Sequence, residues 1–326
     1  MTRTLQALFP ALLLASTLAM PSKGQVPVKG PAPTPQAQGK SLTLHFGWPI
    51  PAKAHIVEKS LKKGRKAVTS YNFELVPDPE NKGRWIGRMS DIQVQQMDTM
   101  GLTPEQLALS KKLLGAVTSA LPTLSIDPKT LEAQAQGIRK GVEAVIQILR
   151  STAKTDKDKQ LIALVSKSMT SKAMLATLRA SSLSFWKAWA ETWNGLDVPP
   201  KGSSKILDGV ISYPMGGEGK CKVKLTNLGS PKGNPELIQL RYEQTGTGDI
   251  LGTFIALMKK SLPPAYRDRI HKEMFESASI SVHMQATLHR KTLLPQRVLV
   301  EKTTEVKMKG RPARKQLERH DYHFTW

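Results

Sequence analysis

The stretch Ile280-Ser-Val-His-Met-Gln-Ala-Thr-Leu-His289 decides the fold. Ile280, Val282, Met284, Ala286 and Leu288 alternate with Ser281, His283, Gln285, Thr287 and His289. Alternation of period two puts one set on a buried sheet face and the other toward water. Lys291 to Pro295 interrupts the pattern. Arg297 to Met308 resumes it, with Val298, Val300, Val306 and Met308 in phase and Lys302 out of place. Lys309-Gly310-Arg311-Pro312 supplies a hairpin connection, because Gly and Pro take turn geometry at little cost. The run after it sets Tyr322, Phe324 and Trp326 on one face. The spacing predicts a three-strand antiparallel meander over 280–326 whose apolar side the rest of the chain must cover.

Upstream, residues 41–94 read as strands. Leu42, Leu44 and Phe46 alternate. Ala54 to Leu61 and Lys66 to Val76 form a hairpin pattern around Lys62-Lys63-Gly64-Arg65, and Trp85 to Val94 follows a dense turn cluster at 77–83. The period then changes to 3.6. Thr103-Pro104-Glu105-Gln106 is a helix start with an N-cap and a capping-box Gln, and Leu107, Leu114 and Val117 form its stripe. Leu121 to Ile126 reads as a short extended link. Asp127-Pro128 is expected to open a second helix carrying Leu131, Ile138, Val142, Val145, Ile146 and Leu149 on one side. Asp156 to Ser168 and Ser171 to Trp193 continue as helices, and Asn194-Gly195 is a good C-cap. Strands return at Ile206 to Tyr213, Lys220 to Thr226 and Leu237 to Gln244. Asp249 caps a further helix that Pro263-Pro264 ends, and a second short helix runs to Phe275.

The expected fold is α+β. A curved antiparallel sheet of about ten strands, compatible with a half-barrel, is made of both strand-rich regions, and a helical block inserted at about 97–195 packs on one face. One domain over 41–326 is favoured over two, since either strand set alone would leave an apolar face in need of cover. The layout resembles that of periplasmic lipid- and lipoprotein-carrier half-barrels, in architecture only and with no motif carrying the comparison.

The N-terminus reads as a secretory signal over 1–19. Arg3 is the positive region, Leu5 to Leu18 the apolar core, and Thr17-Leu18-Ala19 the small-residue site, with a second candidate cut near Gly24. Residues 20–40, rich in Pro and Gly, form a linker unable to bury enough surface to fold. Export to the periplasm or outside the cell follows. No cysteine sits at a lipoprotein position, and no later stretch is long and apolar enough to span a bilayer as a helix. Cys221 is the single cysteine, so neither an intrachain disulfide nor a cysteine-based zinc site is available. Its alternation with Val223 and Leu225 places it in a strand as a buried thiol.

A net charge of +22 favours anionic partners such as phospholipid headgroups or acidic polymers. Arg139, Lys140, Lys154, Lys157, Lys159, Lys167 and Lys172 fall on the solvent side of the helical block and are the candidate anion-binding residues. No specific nucleic-acid site is evident. Trp186, Trp189 and Trp193 share a helix face at i, i+3 and i+7. That spacing fits packing on the sheet and also allows a ring-stacking platform for a sugar or lipid.

Catalytic signatures are weak. Three Ser-x-x-Lys matches, at Ser60, Ser151 and Ser184, lack the elements that accompany them in serine–lysine enzymes. His283 or His289 could meet His320 or His323 across strands, but no acidic or cysteine ligand stands at a recognised spacing, and neither a metal nor a cofactor is expected. Tyr322-His-Phe-Thr-Trp326 resembles the C-terminal signal of outer-membrane β-barrels over five residues, and about a hundred helical, basic residues speak against a barrel. The first function expected is a non-catalytic envelope protein that holds an apolar or amphipathic ligand. The second is binding to a polyanion or anionic membrane surface, and the third is an enzyme of unrecognised type.

Overall fold

The computed structural model describes residues 42–62, 64–98, 103, 121–153, 155–212, 218–261, 267 and 270–326. The signal and linker expected over 1–40, the helix expected over 104–117, Lys154, the side chain of Lys157 and the Pro263-Pro264 stop lie outside the described residues.

In chain order the strands are β1 (Leu42–Thr43), β2 (Ala52–Lys62), β3 (Arg65–Pro77), β4 (Trp85–Met97), β5 (Thr123–Ile126) and β6 (Ala133–Gln136). Three helices follow: α1 (Ile138–Thr152), α2 (Asp156–Met169) and α3 (Lys172–Trp186), the last running into a π-helical turn at Lys187–Glu191. Then come β7 (Asp197–Val198), β8 (Ser204–Ser212), β9 (Glu218–Gly229), β10 (Leu237–Gly246), α4 (Ile250–Ser261), β11 (Phe275–His289), β12 (Pro295–Met308) and β13 (Arg314–Thr325). Eleven strands make one open antiparallel sheet in the order β6-β5-β4-β3-β2-β13-β12-β11-β10-β9-β8, and β1 pairs with β7 apart from it. The fold is therefore α+β, with helices packed on a curved antiparallel sheet.

The meander forms as its alternation requires. Ile280, Val282, Met284, Ala286 and Leu288 are buried, and the polar residues between them are half-buried on the other face. The two strand-rich regions join where β13 pairs with β2, from Glu318 opposite Lys62 to Thr325 opposite His55. Curvature is measurable across the sheet. Lys302 Nζ on β12 donates to the Ser212 carbonyl on β8 at 3.2 Å, although β8 lies four strands away. In a flat sheet that separation is at least ~19 Å, far beyond the reach of a lysine, so the β8 edge curls over the inner face.

Three expectations need correction. Asp127-Pro128 does not start a helix. The Asp127 carboxylate accepts from the amides of Lys129 and Thr130, and its backbone pairs with Leu131 and Glu132. Asp-Pro serves turns as well as helix starts, and here it closes the β5–β6 hairpin, with α1 beginning only at Ile138. The stretch 97–195 is thus not helical throughout, and these two strands lift the count above ten. The Leu42–Phe46 strand is only two residues long, because Phe46 N instead donates to Asn194 Oδ1 at 2.9 Å and Gly47 N to the Thr292 carbonyl. Phe275 opens β11 rather than ending a helix.

The other helix ends follow their caps. Thr155 and Asp158 form a capping box at α2, Ser171 Oγ accepts from Met174 N at α3, and Gly195 takes φ 69° just past the π turn. The three helices share a small core of their own around Val142, Ile146, Leu149, Ile162 and Leu178.

On the outer face, cross-strand pairs carry opposite charges. Arg297 holds Asp321 with two bonds of 2.8 and 2.7 Å, while Glu301 meets both His283 and Arg319. Burial works to raise the Asp321 carboxyl, but the Arg297 fork, with His323 and Arg319 nearby, holds it below the usual carboxylate range. A carboxylate depressed in this way stabilises the fold above its unfolded pKa of about 4, and the contribution is lost as pH falls through the folded value. Arg297→Met is expected to cost about 1–3 kcal/mol at pH 7. Urea unfolding at pH 7 and pH 3 should show the gap to the parent protein shrinking at the lower pH, and an equal gap at both would contradict the pairing.

Candidate functional site

Residues directly opposite each other on neighbouring strands share a face, so the register assigns the inner face row by row. Tyr322 lies between Glu58 on β2 and Val298 on β12, and His320 between Ser60 and Val300. In the next row Glu318 stands between Lys62 and Lys302, and Lys302 is followed by Val282 on β11 and Gln244 on β10. One end of this face is aromatic. The other is apolar with titratable groups set into it.

The aromatic end is built by the three tryptophans, each 0% exposed. Trp189 meets Phe73, Tyr322 and Phe324 edge-on at 5.1–5.4 Å, Trp186 packs on Phe46, Trp48 and Phe73, and Trp193 on Tyr242. Trp186 Nε1 donates to the Leu131 carbonyl and Trp193 Nε1 to the Ala188 carbonyl. The i, i+3, i+7 face is thus a core contact between α3, its π turn and the sheet, and the chain's own rings occupy the surface a stacking platform would need.

The polar end brings together residues that are far apart in sequence. His320 Nδ1 lies 2.7 Å from Glu58 Oε1, and Tyr71 OH donates to Glu58 Oε2 at 3.4 Å. The His320 side chain is 1% exposed and Glu58 19%. Burial, with the Glu58 charge beside them, pushes the Tyr71 and Tyr322 phenols well above their ordinary range, so both stay protonated. Lys62 and Glu318 are 3.8 Å apart. Gln244 Nε2 donates to Tyr242 OH and to the Val210 carbonyl. Three buried polar atoms here have no partner among the described residues: His320 Nε2, Tyr322 OH and Gln244 Oε1.

The sequence marks Lys302 by its break in the alternation, places Tyr322 on a sheet face and offers His320 only as a metal partner, and it does not join them to Glu58, Tyr71 or Gln244. The same signal was present at Glu58, in phase with Ala54 and Ile56, and at His320, in phase with Tyr322 and Phe324. The histidine pairing considered for a metal does not form, since β12 separates β11 from β13. His283 faces Glu301, His289 faces Glu236, and His323 lies 3.3 Å from Asp321. Among the described residues no group of three His, Cys, Asp or Glu is placed to hold a metal ion.

Of the anion-binding candidates, Arg139, Lys140, Lys159, Lys167 and Lys172 are exposed and spread over three helices. Arg139 pairs with Glu143 and Lys159 with Asp156 on their own helices. A groove of about 380 Å³ runs between α1 and α2, with Arg150 and Lys167 beside Glu143. Cys221 is buried, and burial with the nearby Asp208 charge pushes its thiol up to about 11, which leaves it a poor nucleophile at neutral pH.

Burial pushes the Lys302 ammonium down to about 8, with Glu318 working against that shift and Lys62 with it. An unfolded lysine titrates near 10.4. Between about pH 8 and 10 only the unfolded chain keeps this proton, so Lys302 makes stability rise with pH. Cys221 acts in the opposite direction above about pH 8.5, and the test is therefore a comparison. Between pH 7.5 and pH 10 the stability of Lys302→Met relative to the parent is expected to fall by about 1–3 kcal/mol in denaturant unfolding. A pH-independent difference would show that Lys302 keeps its ordinary titration.

No family model matches the chain, and no curated protein matches it. Among solved structures, one titled "Lipid-protein interactions in lipovitellin" is similar over 85% of this chain and 25% of that one, with 7% identity and a TM-score of 0.40. The chain therefore spans about a quarter of the length of that protein. No helix among the described residues is long and apolar enough to cross a membrane.

Proposed function

We propose that the chain is an exported, non-catalytic cell-envelope protein that holds an apolar or amphipathic ligand on the inner face of its curved sheet. The observation that carries this reading is that three of the eight unpartnered buried side-chain atoms among the described residues, His320 Nε2, Tyr322 OH and Gln244 Oε1, belong to inner-face residues of the sheet. They sit on a face otherwise lined by Val282, Met284, Ala286, Val298 and Val300, all at most 3% exposed. A buried polar group left unsatisfied costs about 1–3 kcal/mol, and native proteins rarely leave several together. A molecule with a polar head and an apolar body would satisfy both parts of the surface. Export rests on the Arg3 and Leu5–Leu18 segment. The non-catalytic assignment draws on Cys221, inert by burial, and on Ser184, whose hydroxyl is buried and donates to the Ser181 carbonyl.

Native mass spectrometry of the full chain, expressed so that it can be exported and purified without detergent, tests both parts. The expected spectrum shows loss of the first 19–24 residues and a stoichiometric adduct that organic extraction removes. A bare mass before extraction would count against the ligand. Binding to anionic vesicles that falls steeply with salt would then favour the exposed basic residues of α1–α3 as the working surface.

A further inference from the structure

We infer that the basic hairpin tips at one end of the sheet dock the protein on an anionic phospholipid surface, with the β12–β13 tip leading and Met274 entering the headgroup layer beside it. The inference goes beyond the ligand-binding reading and does not need it.

The charge is written in the sequence and gathered by the topology. Residues 59–66 and 306–317 each hold five Lys or Arg and no Asp or Glu. They are the β2–β3 and β12–β13 turns with their flanks. The β13–β2 pairing sets Glu318 opposite Lys62 and so brings both turns to the same end of the sheet. The turns at the opposite end are closer to balance. Over 77–84 Asp78 and Glu80 offset Lys82 and Arg84, and over 229–237 Glu236 offsets Lys232. Between β11 and β12 only Arg290 and Lys291 are in excess, and Arg290 is drawn back onto Ser230 and the Leu237 carbonyl.

At the basic end the nearby acids leave charge over. Glu276 is taken by Lys307 and Glu318 by Lys62, and Asp249 lies 3.9 Å from Lys272. Asp98, Glu273 and Glu305 also stand at this end, Glu305 opposite Lys315. Arg65, Lys66, Arg311, Arg314 and Lys315 are nevertheless exposed, and none forms an ion pair among the described residues. β13 runs four residues past the Glu318–Lys62 pair to Arg314. At ~3.3 Å per residue the β12–β13 tip therefore stands about 13 Å beyond the other. Screening acts over about 8 Å at physiological salt, so the leading tip carries most of the attraction.

Met274 supplies the apolar part. It is 38% exposed, and Lys309 N donates to its carbonyl, which holds it against the leading tip. A flexible apolar side chain among cations suits a headgroup layer, where cations meet phosphates and apolar atoms reach the acyl boundary. Nucleic acid is served less well. Single strands bind on exposed rings, and the adjoining ring, Phe275, is half-buried and packs on Phe254. Arg314, Gln316 and Glu318 continue the alternation of His320 and Tyr322 along β13. A protein docked by this tip thus turns the polar end of its inner face toward the lipid.

The test is co-sedimentation of the full-length protein with phosphatidylcholine vesicles containing about a third phosphatidylglycerol, over a salt series. Binding is expected to fall steeply with salt and to be absent on pure phosphatidylcholine. A cation near such a surface is worth about fivefold in affinity, so Arg311→Gln, Arg314→Gln and Lys315→Gln together should weaken binding about 100-fold. Arg65→Gln with Lys66→Gln, on the trailing tip, should cost less than about tenfold. Arg139→Gln, Lys140→Gln and Lys159→Gln remove the same charge from the helices and should cost less than about threefold. Met274→Cys carrying an environment-sensitive fluorophore, with Cys221 buried and unreactive, should shift to the blue on the vesicles. No binding to anionic vesicles, equal losses from the tip and helix triple variants, an unshifted probe at 274, or tighter binding to a DNA duplex at matched salt would each overturn the inference. All these substitutions fall on exposed side chains, and the parent protein alone decides the vesicle and duplex outcomes. A bare mass in the spectrometer would remove the ligand and leave docking standing, while failure to bind vesicles would leave the ligand reading untouched.

Discussion

The pairing of β13 with β2 is the contact on which the architecture depends. Residues 52–97 and 204–325 each supply antiparallel strands, and each set by itself would expose a row of unpaired backbone groups at its inner edge. Setting Glu318 opposite Lys62 and Thr325 opposite His55 removes both edges and makes one sheet of eleven strands. That seam also fixes what faces inward. Because side chains alternate with period two, a slip of β13 by one residue against β2 would turn Tyr322 and His320 away from Glu58 and set Asp321 and Arg319 on the inner face in their place. The His320–Glu58 contact crosses this seam and opposes the slip, while the Arg297–Asp321 fork fixes β13 against β12 on its other side.

With register set, the two faces divide the labour. The outer face offsets the chain's charge locally, with ion pairs between adjacent strands, and several of them are exposed enough to contribute little each. The inner face carries the apolar area, and the large rings concentrate at one end of it. Trp186, Trp189 and Trp193 arrive on α3 and its π turn, and their contacts with Phe73, Tyr322 and Tyr242 tie the helical segment to strands from both halves of the sheet. Tyr322 therefore belongs to two neighbourhoods: its ring edge packs against Trp189, while its hydroxyl lies toward the polar group of Glu58 and Tyr71.

The legible part of the fold was the part governed by local period. Alternation over 280–288 and the turn chemistry at 62–65 and 309–312 located their strands to within a few residues, and the capped helices after Asp156 and Ser171 were equally plain. Asp127-Pro128 misled because an Asp before a Pro satisfies backbone amides in a turn as readily as at a helix start, and only pairing of 123–126 with 133–136 decides between them. The candidate site was legible one residue at a time and not as a site. Lys302, Glu58 and His320 each break an apolar phase in its own strand, yet Glu58 and His320 are 262 positions apart in the chain. Nothing local states that β2 and β13 are neighbours, so a polar residue in an apolar phase looked like an irregularity.

Those interruptions also bear on the shape of the sheet. β8 is an edge strand, and an edge presents backbone groups that must find partners or attract another chain. Two of its carbonyls are taken from within the same sheet: Val210 by Gln244 Nε2 and Ser212 by Lys302 Nζ. A side chain on the inner face can reach an edge carbonyl only if the sheet bends inward, so each bond is available only to the curved form. Leucine at 302 or 244 would fit the local alternation better and would remove that link between edge and face. The residues that look out of place in the strand pattern are thus the ones that hold the edge of the sheet over its inner face, and they stand in the row next to that of His320. Curvature and the polar end of the inner face have a common origin in the same few side chains.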